Sequence, residues 1–588
     1  MGLLKPAPFI PPGVNAWATQ KVIQVGALPS FANMRMLPNH KLRNIQRAAL
    51  VAFFVVLSTL STFAQRRERT VESWKPLHYD VNLAFNEQLT EISAARTEIS
   101  LEVLKQNVTR IDLDFGEMAI DSIVIAGAPV QFDRTSEQLN VTLPRAANRG
   151  DKLSVTITYH GRPKDGLIFA RDRDGKQSAT GDNWPNRVHQ WIPTLDHPSA
   201  KATASFTIAA PRRYQVVANG KLINTTGDTA TSLWRFEESR AIPPYCMIVT
   251  VNEGAVINSP DQTITNLLYN VPQKDRDYAV KGFSTAAPAL AFFNQTIAPY
   301  PYEKLALIVA ETRFGGMENS SAIVFANNLL AQRGGEKMST RFGIPVRIEN
   351  VVAHEIAHQW FGDSVTELTW ADLWLSEGFA TYFAGLFIEK YEGDAAFSEY
   401  MRDAAGQYLS YAKHNHVPIH DTMTQDLMGL LNDNNYQKGA WVLHMLRRQL
   451  GDEAFFKGVR NYYNDHREAN ATTEDLRGAL EKSSGKNLKD FFARWIYGAG
   501  HPRYELSWGS MERAATTSLV VRLNQLQDGE PFLDPVPIEF TVNGKTERRT
   551  IYPKGKLATE TIQLPGNPSS ATIDPDETLL KEVVRARP

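Results

Sequence analysis

From about Thr70 to Val251, apolar and polar positions alternate along the chain. Tyr79, Val81, Leu83 and Phe85 fall on one side of one run, and Leu153, Val155, Ile157 and Tyr159 on one side of another. A period of two marks strands with one buried face, and turn residues such as Ala126-Gly127-Ala128-Pro129 separate the runs. Near Pro272 the period changes. Between Tyr278 and about Trp495 amphipathic helical stretches dominate; in Lys438–Leu450 the residues Trp441, Val442, Met445, Leu446 and Leu450 share one face. After Pro502 the alternation returns in Tyr504, Leu506 and Trp508, then in Ile538, Phe540 and Val542, which lead into the hairpin signal Asn543-Gly544. That last stretch has the length of a small β-sandwich.

A chain of 588 residues exceeds what one hydrophobic core organises. The pattern therefore predicts a multidomain α+β protein. Its expected parts are a leader at 1–65, an N-terminal antiparallel β domain at 66–254, a mainly helical domain at 255–500 and a β-sandwich at 501–588. Charge is balanced, with 63 basic and 64 acidic side chains, so no basic excess points to nucleic acid. The single cysteine, Cys246, excludes an intrachain disulfide and a cysteine metal cluster, and it reads as a buried structural thiol. In the leader, Lys41, Arg43 and Arg47 precede an apolar run that starts at Ala48 and ends in small residues at Ala64. That order matches a secretory signal cut after Ala64; uncleaved, residues 48–64 would be a membrane anchor. Either outcome places the bulk of the protein outside the cytoplasm, secreted or in the periplasm or cell envelope.

The stretch that carries chemistry is His354-Glu355-Ile356-Ala357-His358. Two histidines four apart on a helix present both imidazoles to one side, as zinc requires. Asn350 is placed to cap that helix and Gly362 to stop it. HExxH alone arises by chance in roughly one or two chains in a hundred of this composition, so the third ligand decides. The metzincin pattern would need Gly and His where Phe361 and Ser364 stand, which excludes it. A second helical run, Trp370 to Tyr382, follows instead. Its Glu377 projects from an apolar surface formed by Leu373, Trp374, Phe379, Ala380 and Phe383, where an unpaired carboxylate would be costly. With His354 and His358 it completes a two-histidine, one-glutamate set that leaves a position for water, so one Zn²⁺ per chain is expected. Glu355, beside a ligand, is placed to act as general base on that water.

HExxH, an 18-residue gap and Leu375-Ser376-Glu377-Gly378-Phe379-Ala380 together resemble the gluzincin aminopeptidases of the M1 family. Gly315-Gly316-Met317-Glu318-Asn319 resembles that family's GxMEN exopeptidase signature, and Asn435-Tyr436-Gln437-Lys438-Gly439-Ala440 is similar to the segment that supplies its catalytic tyrosine. The resemblance spans roughly 70–588. It implies a thermolysin-like fold for the catalytic domain, Glu318 as the anchor of the substrate α-amine, and Tyr436 as the donor to the oxyanion. Gly315, Gly316, Met317 and Asn319 would join Glu318 in binding peptides with a free N-terminus. The glycines suit a strand edge that substrate backbone approaches, and Met317 reads equally as pocket lining or core. Many members add a large helical domain that has no counterpart here, so an open site, or closure by a second subunit, is expected. The family's second amine-binding Glu or Gln is also missing, which leaves Asp182 and Asn183 as candidates. Two other readings stand beside the aminopeptidase: an epoxide hydrolase of the same family and a non-catalytic peptide-binding scaffold. Intact ligands and base argue against the scaffold.

Overall fold

The alternating pattern of the first part builds an eight-stranded sheet. In spatial order its strands are Lys221–Gly227, Thr231–Ile242, Ala202–Pro211, Trp74–Phe85, Ile92–Val103, Lys152–Gly161, Ala119–Ile125 and Ala128–Pro129. The computed structural model describes residues 65–171, 175–330, 338–339, 345–513 and 516–587; the predicted signal or anchor at 41–64 lies outside them. Tyr79, Val81, Leu83 and Phe85 are buried, as are Val155, Ile157 and Tyr159. The sheet is not wholly antiparallel as expected. Trp74–Phe85 runs parallel to Ala202–Pro211, because the chain crosses over through two smaller sheets before it returns.

Nine α-helices follow among the described residues: α1 Arg276–Gly282, α2 Ala286–Thr296, α3 Ile348–His358, α4 Trp374–Glu392, α5 Asp394–Ala412, α6 Gly439–Leu450, α7 Asp452–His466, α8 Thr473–Ser484 and α9 Lys489–Trp495. The helical region also holds a five-stranded sheet that periodicity did not show. Its order is Ala255–Asn258, Asn266–Val271, Lys304–Ala310, Ala322–Ala326 and Gly316–Met317. Every residue of Lys304–Ala310 is buried, so this strand has no alternation to read.

The final residues form a four-stranded and a three-stranded sheet, with Trp508 and Phe540 in edge-to-face contact. Asn543 and Gly544, at φ of 50° and 76°, make the predicted two-residue turn between Val536–Val542 and Lys545–Ile551. The apolar residues of the helices and of these last sheets belong to one continuous core, whereas the eight-stranded sheet has its own. A third cluster, including Trp184, Tyr245, Met317 and Trp370, packs residues of the N-terminal part against the five-stranded sheet. Among the described residues no helix is long and apolar enough to cross a membrane.

Candidate metal and substrate site

Helix α3 buries Val352, Ala353, Ile356 and Ala357 completely. Its start differs from expectation: the extended residue before it is Arg347, and Asn350 lies inside the first turn. The packing of Ile348 draws the helix in earlier, and Glu349 in the first turn suits the positive end of the dipole. The helix stops at His358, and Gly362, at φ of 120°, reverses the chain. The second run is a short 3₁₀ turn, Trp370–Asp372, followed by α4. Every residue of α4 from Trp374 to Ile388 is buried, so the helix lies in the core and carries Glu377, in its first turn, with it.

Helices α3 and α4 bring three ligand atoms together. His354 Nε2 and His358 Nε2 lie 3.0 Å apart, and Glu377 Oε2 lies 3.4 and 3.3 Å from them. A triangle of that size has a point about 2 Å from each corner, the length of a zinc–nitrogen or zinc–oxygen bond. Among the described residues Glu377 Oε2 is buried without a hydrogen-bond partner, and a cation at that point would satisfy its lone pair by coordination. The residues therefore fit a zinc ion. His358 Nδ1 lies 3.1 Å from the carbonyl of Phe361, which can only accept, so Nδ1 carries the proton and Nε2 faces the triangle with its lone pair. Ser376 Oγ, 3.0 Å from the same Nδ1, steadies the ring further.

Around the triangle the carboxylates crowd. Ligand atoms of Glu318, Glu355 and His358 lie within 4.8 Å of one another, all three residues buried. Burial pushes Glu355 well above the ordinary carboxyl range, with Glu318 and Glu377 adding to the effect against His358. Burial likewise pushes Glu318 up to about 7, opposed by His358 and reinforced by Glu377. Burial would also raise Glu377, yet His358 and His354 hold it down at about 2. For His358 burial works downward, and the surrounding carboxylates, Glu377 foremost, push it up; a cation held at Nε2 would take the place of that proton.

Among the described residues Gly316–Met317 is the edge strand of the five-stranded sheet, paired only with Ala322–Ala326. A Cβ on Gly316 would lie 2.2 Å from Glu355 Oε1, so the missing side chain is what lets the strand meet the zinc helix. Met317 is a buried member of the third apolar cluster, which makes its side chain core. Asn319 is fully buried and donates to the carbonyl of Met317 at 3.3 Å. Tyr436 stands in a π-turn, Asn434–Lys438, that precedes the expected helix, with its ring stacked on His354 at 6.0 Å. Burial, and then Glu377, keep its phenol well above the usual range and so protonated.

The fold engages both alternative amine binders elsewhere. Asn183 donates to the Met247 carbonyl and accepts from Trp191 Nε1 at 2.8 Å. Asp182 accepts from Arg187 at 3.1 Å and from the backbone N–H of Arg313 at 3.2 Å.

Residues 75–246 match the model of the peptidase M1 N-terminal domain, and residues 282–495 match that of the peptidase family M1 domain. The chain belongs to peptidase family M1. Its M1 relatives include a protein named probable aminopeptidase 1 of Sulfurisphaera tokodaii, 26% identical over 478 residues, 80% of this chain and 58% of that one. Tricorn protease-interacting factor F2 of Thermoplasma acidophilum is 29% identical over 405 residues, 67% of this chain and 50% of that one. Alanine/arginine aminopeptidase of Saccharomyces cerevisiae is 26% identical over 458 residues, 74% of this chain and 53% of that one. The M1 chain described here thus spans between half and three-fifths of the length of these relatives.

Three features of this M1 site escaped sequence reasoning. Ser376 supports His358 from within the Leu-Ser-Glu-Gly run. Gly378 and Gly439 let α4 and α6 touch, since a Cβ on Gly378 would lie 3.0 Å from the Gly439 Cα. Their neighbours are Glu377 and the π-turn of Tyr436, so this contact sets the spacing between ligand and phenol. Gln359, fully buried beside His358, binds the Glu318 turn. The only signal for each was a small or polar residue next to a ligand.

Proposed function

We propose that this protein is a zinc-dependent aminopeptidase that removes residues from the free N-terminus of peptides. The observation that carries the reading is the buried carboxylate of Glu318 beside the ligand triangle, where the described residues offer it no ion pair. An α-ammonium group there satisfies that carboxylate through charge-assisted hydrogen bonds and sets the first peptide bond over the triangle. When bound, zinc supplies a Lewis acid and lowers the pKa of water toward ~7. Glu355 takes a proton from the attacking water and returns it to the departing amine. Tyr436 donates its O–H to the oxygen that becomes negative, a charge present only as the carbonyl is attacked. His354, His358 and Glu377 are the residues that would hold the ion.

The test is a panel of fluorogenic aminoacyl substrates, free and N-acetylated, assayed with zinc and with a chelator. Chelator-sensitive cleavage of the free forms is expected; equal cleavage of acetylated forms would make the protein an endopeptidase. We also place the mature protein in the envelope or medium, on the strength of the basic flank and apolar run at 41–64. N-terminal sequencing should then begin near Gln65, and an intact leader on a cytosolic protein overturns that placement.

A further inference from the structure

We infer that Gln359 is a positioning residue that ties the Glu318 turn to the zinc helix, so that it governs recognition of the substrate amine without touching metal or substrate. The inference rests on the amine-anchoring reading of Glu318. Gln359 follows the ligand His358 and is fully buried. Its amide nitrogen donates to the Glu318 carbonyl at 2.9 Å and to Asp363 Oδ2 at 2.7 Å, with a longer contact of 3.5 Å to the Asn319 carbonyl. Its amide oxygen accepts from the Ser321 backbone N–H at 2.8 Å and from the Tyr300 hydroxyl at 3.2 Å. Two donors and two acceptor sites are all that a glutamine amide has, and every one is used. The orientation is fixed as well, because a flipped amide would set oxygen against a carbonyl and a carboxylate.

The segment it holds is short and conformationally demanding. The edge strand ends at Met317, and Ser321 stands at φ of 61°, a left-handed conformation that a non-glycine residue keeps only when its surroundings impose it. Gln359 grips both ends of the turn, at the Glu318 carbonyl and the Ser321 N–H. Met317 anchors the strand by apolar packing on the N-terminal side. Asn219, Lys304 and Glu238 also hold the turn at Ser320 and Ser321, and Gln359, the residue that follows the ligand His358 at the end of α3, ties it to the metal side.

The experiment uses the zinc-loaded full chain and Gln359→Met, which keeps the length of the side chain and removes every bond of the amide. Three quantities are measured: bound zinc, kcat/KM on a matched pair of peptides with free and acetylated N-termini, and hydrogen exchange over residues 317–322. The expected result is about one zinc per chain, faster exchange in that segment, and a free-over-acetylated preference reduced at least about tenfold, since misplacement by an ångström costs that much or more. Tyr300→Phe removes one hydroxyl, whose proton is shared between Gln359 Oε1 and the Lys304 carbonyl, and should move the preference in the same direction by a few-fold, which keeps the test open if Gln359→Met fails to fold. Equal losses on both peptides, loss of zinc, or an unchanged preference in either soluble variant would overturn the inference. A wild type indifferent to acetylation would instead overturn the aminopeptidase reading, and the exchange measurement separates the two: unchanged exchange in Gln359→Met rejects the tie itself.

Discussion

The two sides of this site are held in place by different physics. His354, His358 and Glu377 stand on α3 and α4, whose positions follow from dense apolar packing; α4 is buried over fifteen consecutive residues. Glu318 stands at the end of a two-residue edge strand, placed by hydrogen bonds from Gln359 and by the absence of a side chain at Gly316. Packing of that density tolerates the loss of one polar contact, whereas a short edge strand does not. The metal side should therefore fail only when a ligand is removed, and the amine side should respond to subtler changes.

The largest expected effect is on the metal side. His358→Ala removes a corner of the triangle and should abolish both bound zinc and activity, measured by metal analysis and peptide turnover; full activity in metal-free protein would reject the assignment. Glu355→Gln comes next. Zinc should remain while kcat falls by about 10²–10⁴, the range for losing a general acid–base group, and a mere few-fold loss would remove Glu355 from that role.

Across the site, Glu318→Ala should weaken kcat/KM for peptides with a free N-terminus by roughly 2–5 kcal/mol, the range for truncating one partner of a buried charge pair. Acetylated peptides should hardly change, so the ratio of the two rates is the measurement that decides. Tyr436→Phe should keep zinc and KM but lose on the order of 10²–10³ in kcat, as for other single oxyanion donors. A change confined to KM would mean that the ring only packs against substrate.

The smallest effect sharpens the contrast. In Gly316→Ala the new Cβ meets the Glu355 side chain from Oε1 to Cγ, at 2.2 to 2.6 Å. That carboxylate is the end of a flexible chain and can swing away, so the melting temperature should fall little while kcat falls by up to about 10² through misplacement of the base. A thermal shift as large as the kinetic loss would show that the edge strand, and not the base, has been disturbed.

Much of this was legible in the sequence because the information is local. The spacing of His354 and His358 fixes a shared helix face, and the buried setting of Glu377 follows from its apolar neighbours. The alternation through Tyr79, Val81, Leu83 and Phe85 gives a half-buried strand, and Asn543-Gly544 gives a two-residue turn. The five-stranded sheet was hidden because Lys304–Ala310 is buried on both faces and carries no period, and the parallel pairing of Trp74–Phe85 depends on a strand more than a hundred positions away. The helix start was misplaced because the packing of Ile348 outweighed the capping propensity of Asn350.

By itself, then, the sequence determined which residues could bind a metal and move a proton, since those roles depend on residue type and on spacing along one helix. Only the tertiary structure decided how the amine side is built. The approach of Gly316 to Glu355, the crossing of α4 and α6 at Gly378 and Gly439, and the bonds of Gln359 to Glu318, Ser321 and Tyr300 all join segments distant in the chain. Contacts of that kind depend on where folded elements come to rest against one another, and no local period along the chain encodes that.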